Sequence, residues 1–158
     1  MATHSLYGIM GISLTDTPTT GGVFPLGTEV LASDGATYKH VKASAAVAAY
    51  AAVKIDDDGQ IAELTTALSG AEPTRVGFAQ AAFASADYGW VVVSGPCTVL
   101  VSASCAADVK IGTTATAGVI DDTYTDLVQG LKLTTACGGA QAATAAYATG
   151  PCFTNHQD

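Results

Sequence analysis

Charge is scarce in this chain. Only 13% of its 158 residues are Asp, Glu, Lys or Arg, with 14 acidic against 6 basic and a net charge of −8. The basic residues, Lys39, Lys42, Lys54, Arg75, Lys110 and Lys132, are scattered along the chain. No cluster of them could neutralise a run of phosphates, so the sequence predicts no nucleic-acid partner. An anionic membrane surface is disfavoured on the same grounds. Long hydrophobic runs are missing too. Gly, Ser, Thr and Asp interrupt every apolar stretch before the ~20 residues a membrane helix needs. The opening "MATHSLYGIMGISLTDTP" lacks a basic segment followed by an apolar one, so we expect no secretory signal and a protein made in the cytoplasm.

Bulky anchors are scarce. Aromatics make up 7% of the residues, with a single tryptophan, Trp90. In their place are 30 Ala, 21 Thr, 17 Gly and 9 Ser, which make 77 of the 158 residues. The mean hydropathy is still positive, +0.34, which excludes the low-hydrophobicity signature of disorder. An Ala removes little area from water at ~25 cal/mol per Å². We therefore expect partner subunits to contribute to stability.

Catalytic signatures are absent as well. There is no nucleophile elbow, phosphate-binding loop, H-E-x-x-H or dinucleotide-binding glycine pattern. Cys97, Cys105, Cys137 and Cys152 show no C-x-x-C spacing. Without an export signal they are expected to be free and largely buried, with disulfides as the alternative and zinc a remote third. Of the three histidines, His4 and His156 lie near the ends, and His40 is read as a solvated strand residue rather than a general base. Asp56, Asp57 and Asp58 do not alternate as a calcium loop requires, so they are read as a solvated hairpin turn, and Asp121-Asp122 likewise. No catalytic, cofactor-binding or metal residue is predicted, and the chain is read as a non-enzyme.

What remains is a cadence of short β segments with turn residues between them. Asp34-Gly35 splits Gly27–Lys42 into a hairpin, and Asp56–Gln60 reverses the next pair of strands. "WVVVS" and "CTVLVSA" read as two strands broken by Gly95-Pro96. This predicts an all-β barrel or sandwich in one domain over residues 23–158, behind an extended arm or flexible lead-in over residues 1–22. The Ala-rich stretches 42–52 and 138–150 are equally compatible with short helices or with closely packed strands. No internal repeat of fixed period emerges. Trp90, beside Tyr88 and Gly89, reads as a core tryptophan capping a barrel end, with Gly89 at a bend or bulge. The competing reading exposes Tyr88 and Trp90 as a sugar-binding platform or an interface hot spot.

The order of segments then resembles a known family. "FPLGTEVLASDGATYKHVKASAAVAAYAAVKID" (Phe24–Asp56) and "RVGFAQAAFASADYGWVVVSGP" (Arg75–Pro96) are similar to small bacteriophage capsid decoration, or cement, proteins. "TTATAGVIDD" (Thr113–Asp122) and "QGLKLTTA" (Gln129–Ala136) resemble that family's later strands, so the likeness spans about residues 24–136. It implies a compact β-rich subunit bound to the outside of an icosahedral shell, often as trimers at local threefold axes. Its partner would be the major capsid protein, and no catalytic residues carry over. The N-terminal arm is expected to contact the shell or a neighbouring subunit. Two other readings stand beside it: a carbohydrate-binding or adhesin-type β-sandwich, and a tail or neck component of the virion.

Overall fold

Turn chemistry sets the first strands. Gly35 adopts a positive φ of 84° and joins Glu29–Leu31 (β1) to Thr37–Ala43 (β2), with Val30 opposite Tyr38. The Asp34 carboxylate fixes the turn by accepting hydrogen bonds from the Ala36 N–H at 2.9 Å and the Tyr38 hydroxyl at 3.0 Å. The second reversal works the same way. Gly59, at φ 81°, closes the turn between Ala52–Ile55 (β3) and Gln60–Glu63 (β4), and Asp58 accepts from both the main chain and the side chain of Gln60. Asp56, Asp57 and Asp58 are exposed on that turn, as the sequence predicts.

The computed structural model describes residues 13–14, 17–20, 24–66 and 74–154. Its remaining strands are Thr74–Ala79 (β5), Tyr88–Val101 (β6), Gly112–Thr113 (β7), Ile120–Asp121 (β8), Leu127–Leu133 (β9) and Ala142–Thr154 (β10). All ten join one mixed sheet in the order β1-β2-β4-β3-β5-β10-β6-β8-β7-β9, with further β2–β6, β5–β6 and β10–β9 pairings. The pairing therefore returns on itself twice. One circuit runs β2-β4-β3-β5-β6 and back to β2; the other runs β10-β6-β8-β7-β9 and back to β10. Among the described strands only β1 has a single neighbour. The fold is all-β, and no described helix is long and apolar enough to cross a membrane.

Each circuit encloses its own side chains. Val41, Val53, Ile55, Ile61, Val91 and Val93 fill the first with Val and Ile where larger residues are lacking. Val99, Val101, Ile111, Ile120, Val128 and Leu133 belong to the second, in a cluster that continues under β1 and β2. Burying one such side chain fully stabilises by roughly 1.5–3 kcal/mol.

β6 serves both circuits because it does not stop at Gly95-Pro96. The sequence predicts a break there, but the strand continues for 14 residues. Its first half pairs with β2 and its second half with β10. Val93 is an extra residue between the pairs Tyr38–Val92 and Thr37–Ser94. That bulge shifts the side-chain alternation by one, so Val92 and Val99 both face the larger cluster. Gly95 follows at φ 96°, where an added Cβ would lie 2.6 Å from the Ala36 Cα. The bend is thus at Val93–Gly95 and not at Gly89, which pairs regularly with Val41.

Neither Ala-rich stretch is helical. Residues 44–50 form a loop between β2 and β3, and 142–150 lie inside β10. Main-chain hydrogen bonds to neighbouring strands override alanine's helix propensity in both places. The loop has a counterpart that the sequence reading missed. Ala43–Tyr50 and Ala79–Ala86 follow the same path, 36 positions apart (79−43), around a bridge between Val47 and Phe83. Ala43 N–H bonds to Asp87 O and Ala79 N–H to Ala51 O, while Ala86 N–H bonds to Ala43 O and Tyr50 N–H to Ala79 O. Tyr50 and Ala86 share a positive φ, 67° and 71°. β2-loop-β3 and β5-loop-β6 are thus related by an approximate twofold axis.

The stretch 1–22 is tied down where it is described. Leu14 is buried in the larger cluster, Tyr88 N–H bonds to Pro18 O at 2.8 Å, and Thr19 Oγ1 donates to Asp87 Oδ1 at 3.2 Å.

Candidate interaction surface

The residues that the sequence marked for chemistry are mostly inside. Trp90 is 5% exposed, with its ring 4.9 Å from the His40 ring and 5.7 Å from Phe24. A sugar platform needs a free ring face, and these neighbours cover Trp90. Tyr88 is half-buried, stacked on His40 with Lys42 Nζ 5.2 Å from its ring centre. The core reading of Trp90 therefore fits better than the platform.

His40 departs from its expectation. It is 3% exposed rather than solvated, because its position in β2 points inward against Phe24 and Trp90. Its Nδ1 lies 3.4 Å from Pro25 O. Burial holds its pKa below the usual histidine value, so the neutral ring is the stable form.

Asp121 and Asp122 are likewise not a free turn. Asp121 belongs to β8 opposite Gly112, and both carboxylates are half-buried. With Cys105 they bring three potential ligand atoms within 4.8 Å of one another. Those groups are already engaged. Asp122 accepts from Ala106 N–H and Asp121 from Asp122 N–H, while burial and the two carboxylates push the Cys105 thiol up to about 11. A protonated thiol beside two occupied carboxylates is a poor cation cradle. The four cysteines are free: Cys97, Cys105 and Cys137 buried, Cys152 half-buried. Burial pushes Cys97 up to about 12, which makes it inert at neutral pH.

The surface most distinct from the rest lies on the outer side of β9, β10 and β6. Register places Lys132, Tyr147 and Pro96 in one row across the three strands, and Ala145 and Thr98 in the next. Ala143 and Leu100 make a third row. The inward alternates Leu131, Leu133, Ala146, Ala148, Val99 and Val101 are buried, so alternation alone turns these rows outward. Tyr147 is 48% exposed and borders a shallow groove of about 540 Å³ with Gly130, Leu131, Lys132, Thr134 and Thr149. Lys132 is the one charged residue in these rows, and it pairs with Asp108 at 2.7 Å.

The face continues past β6. Gln80 stands in for a strand there, with its side-chain oxygen accepting from Thr98 N–H and its amide donating to Thr98 O, at 3.1 and 3.0 Å. Leu100 N–H bonds to Tyr50 O, which brings the Ala-rich loop alongside. The result is a broad, nearly uncharged surface on a chain of net charge −8. This surface was hard to foresee, because β6 lies far in the chain from the β9 and β10 strands it joins. The alternation in "AATAAYATG" was the one available signal.

Comparison of the chain with protein-family models, with curated proteins and with solved structures finds no match.

Proposed function

We propose that this protein is a virion structural subunit that binds the outer surface of a phage capsid and stabilises it. The observation that carries the reading is where the family-like segments fall. Phe24–Asp56 and Arg75–Pro96 supply β2, β3, β5 after its first residue, and the part of β6 that pairs with β2, four of the five strands of the first closed circuit. The resemblance thus follows a folding unit rather than scattered turns. A sheet with few free edges suits a subunit that must resist deformation without pairing at random.

Within this reading the uncharged face of β6, β10 and β9 meets the shell protein or a neighbouring copy, with Tyr147 as its anchor. Exposed tyrosines surrounded by small residues make effective hot spots. Elsewhere like charge keeps copies and particles apart. A homo-oligomer, with a trimer favoured, follows from the resemblance.

The test is the copy number of this chain in gradient-purified particles relative to the major shell protein. A ratio near one supports decoration; a handful of copies per particle moves the protein to the tail or neck; absence from particles overturns the reading. Tyr147→Glu is expected to leave folding intact and weaken capsid binding at least tenfold. Unchanged binding by that variant overturns the assignment of the face.

A further inference from the structure

We propose that Cys105 and Cys137 form an oxidisable pair that closes to a disulfide when the folded protein meets a small disulfide oxidant such as oxidised glutathione. This does not depend on the capsid reading. Cys137 N–H bonds to Cys105 O at 2.9 Å, and the adjacent Ser104 N–H bonds to Gly138 O at 2.6 Å. A hydrogen bond between two residues' own main-chain groups holds their Cα atoms roughly 5–6.5 Å apart, within the range that a disulfide spans. Both thiols lie in one apolar cluster, close enough for a charge on Cys137 to act on Cys105. The other two cysteines have different neighbours. Cys97 pairs with Ala146, and Cys152 lies between Arg75 and Gln129.

Access comes through Cys137. It is the one buried residue in the exposed stretch 134–140, beside Gly138 and Gly139, where an added Cβ would meet nothing within 4 Å. Local opening of that loop presents the thiol. Its thiolate attacks one sulfur of the oxidant and releases one small thiol, which takes up the proton that Cys137 lost. Cys105 then gives its proton to solvent and displaces the second small thiol. Two protein thiols are oxidised, and one disulfide is reduced to two thiols. Burial and the neighbouring Asp121 and Asp122 disfavour the Cys105 thiolate, so this second step is slow and accelerates with pH.

The bond would close a loop of 32 residues (137−105) that carries β7, β8 and β9. It would staple the base of the second circuit and raise Tm by about 5–10 °C. A protein leaving a reducing cytoplasm would meet this change without any partner.

The experiment incubates the whole protein with oxidised glutathione at pH 8, alkylates the remaining thiols, and maps the digest with chymotrypsin. Cleavage at Leu100 separates Cys97 from Cys105. The expected result is loss of two of the four thiols, with peptides carrying Cys105 and Cys137 joined, and a rise in Tm that dithiothreitol reverses. Cys137→Ser should keep its three remaining thiols and show no rise. Four thiols surviving even in mild denaturant, a link through Cys97 or Cys152, or a stable glutathione adduct that never resolves would each overturn the proposal. The joined peptides without a change in Tm would overturn the stabilising role.

Discussion

Val47 and Phe83 exchange both of their main-chain hydrogen bonds, each N–H to the other's carbonyl at 2.9 Å, although neither lies in a strand. They sit on the approximate twofold axis of the first circuit, and their side chains are both buried in its core. With so few large residues in that cluster, Phe83 has no neighbour able to fill its space. Phe83→Ala is expected to cost about 3–5 kcal/mol, and Val47→Ala about half as much. Urea unfolding midpoints would measure both; equal small losses would mean that the axis is not a packing centre.

His40 gives the fold a pH dependence. Its folded pKa lies below the ordinary value because the ring is buried among Phe24, Trp90 and Tyr88. The unfolded chain takes up a proton near pH 6.5, while the folded chain does not until lower pH. Below about pH 6.5 the unfolded state therefore binds more protons, and stability falls as pH drops towards the folded pKa. Above that window the contribution is constant. Unfolding midpoints at pH 7.5 and 5.5 should differ for the native chain and differ less for His40→Gln.

Two glycines with similar backbone angles should respond differently to the same substitution. Gly35 and Gly95 both have positive φ, 84° and 96°. An added Cβ at Gly35 meets nothing within 4 Å, whereas at Gly95 it strikes Ala36. Gly35→Ala should cost about 1 kcal/mol from the backbone alone. Gly95→Ala should cost at least ~3 kcal/mol, because the β6 bend must shift as well. Thermal melts of the two variants would compare them directly.

Removing the first 22 residues would not be a clean test of the arm. That deletion takes away the buried Leu14 together with the Pro18 contact to Tyr88 and the Thr19 contact to Asp87. It should cost about 2–5 kcal/mol, as large core truncations do. Deleting residues 1–12 spares those contacts. Weaker capsid binding by the shorter deletion would show that the arm adds to the shell contact.

Much of the β pattern was legible in the sequence because it depends on local rules. Asp34-Gly35 and Asp56–Gln60 are turns wherever they occur, and alternation in Thr37–Ala43 marks a strand on its own. What stayed hidden depends on distant partners. Gly95-Pro96 reads as a break, yet β10 supplies partners on one side and Gln80 on the other, so the strand continues. His40 sits among lysines in the chain, yet Phe24 and Trp90 close over it in space. The twofold relation did leave a trace, A-x-A-A-V-A at Ala43–Ala48 and A-x-A-A-F-A at Ala79–Ala84. Alanine is so common here that the match does not stand out from the background.

The sharing of β6 between the two circuits also fixes an order of events during synthesis. The strands of the first circuit are contiguous in the chain, so it can close as soon as β6 emerges from the ribosome. Residues 94–101 then wait for β10, whose first residue comes 41 positions after Val101 (142−101). Until it arrives, one side of that segment is an open template for any passing strand. Gln80 already occupies the main-chain groups of Thr98 on the other side, and Pro96 has no N–H to offer. Gln80 and Pro96, both made long before β10, thus close one side of the segment to mispairing, and only the side that β10 will take stays open until that strand is made.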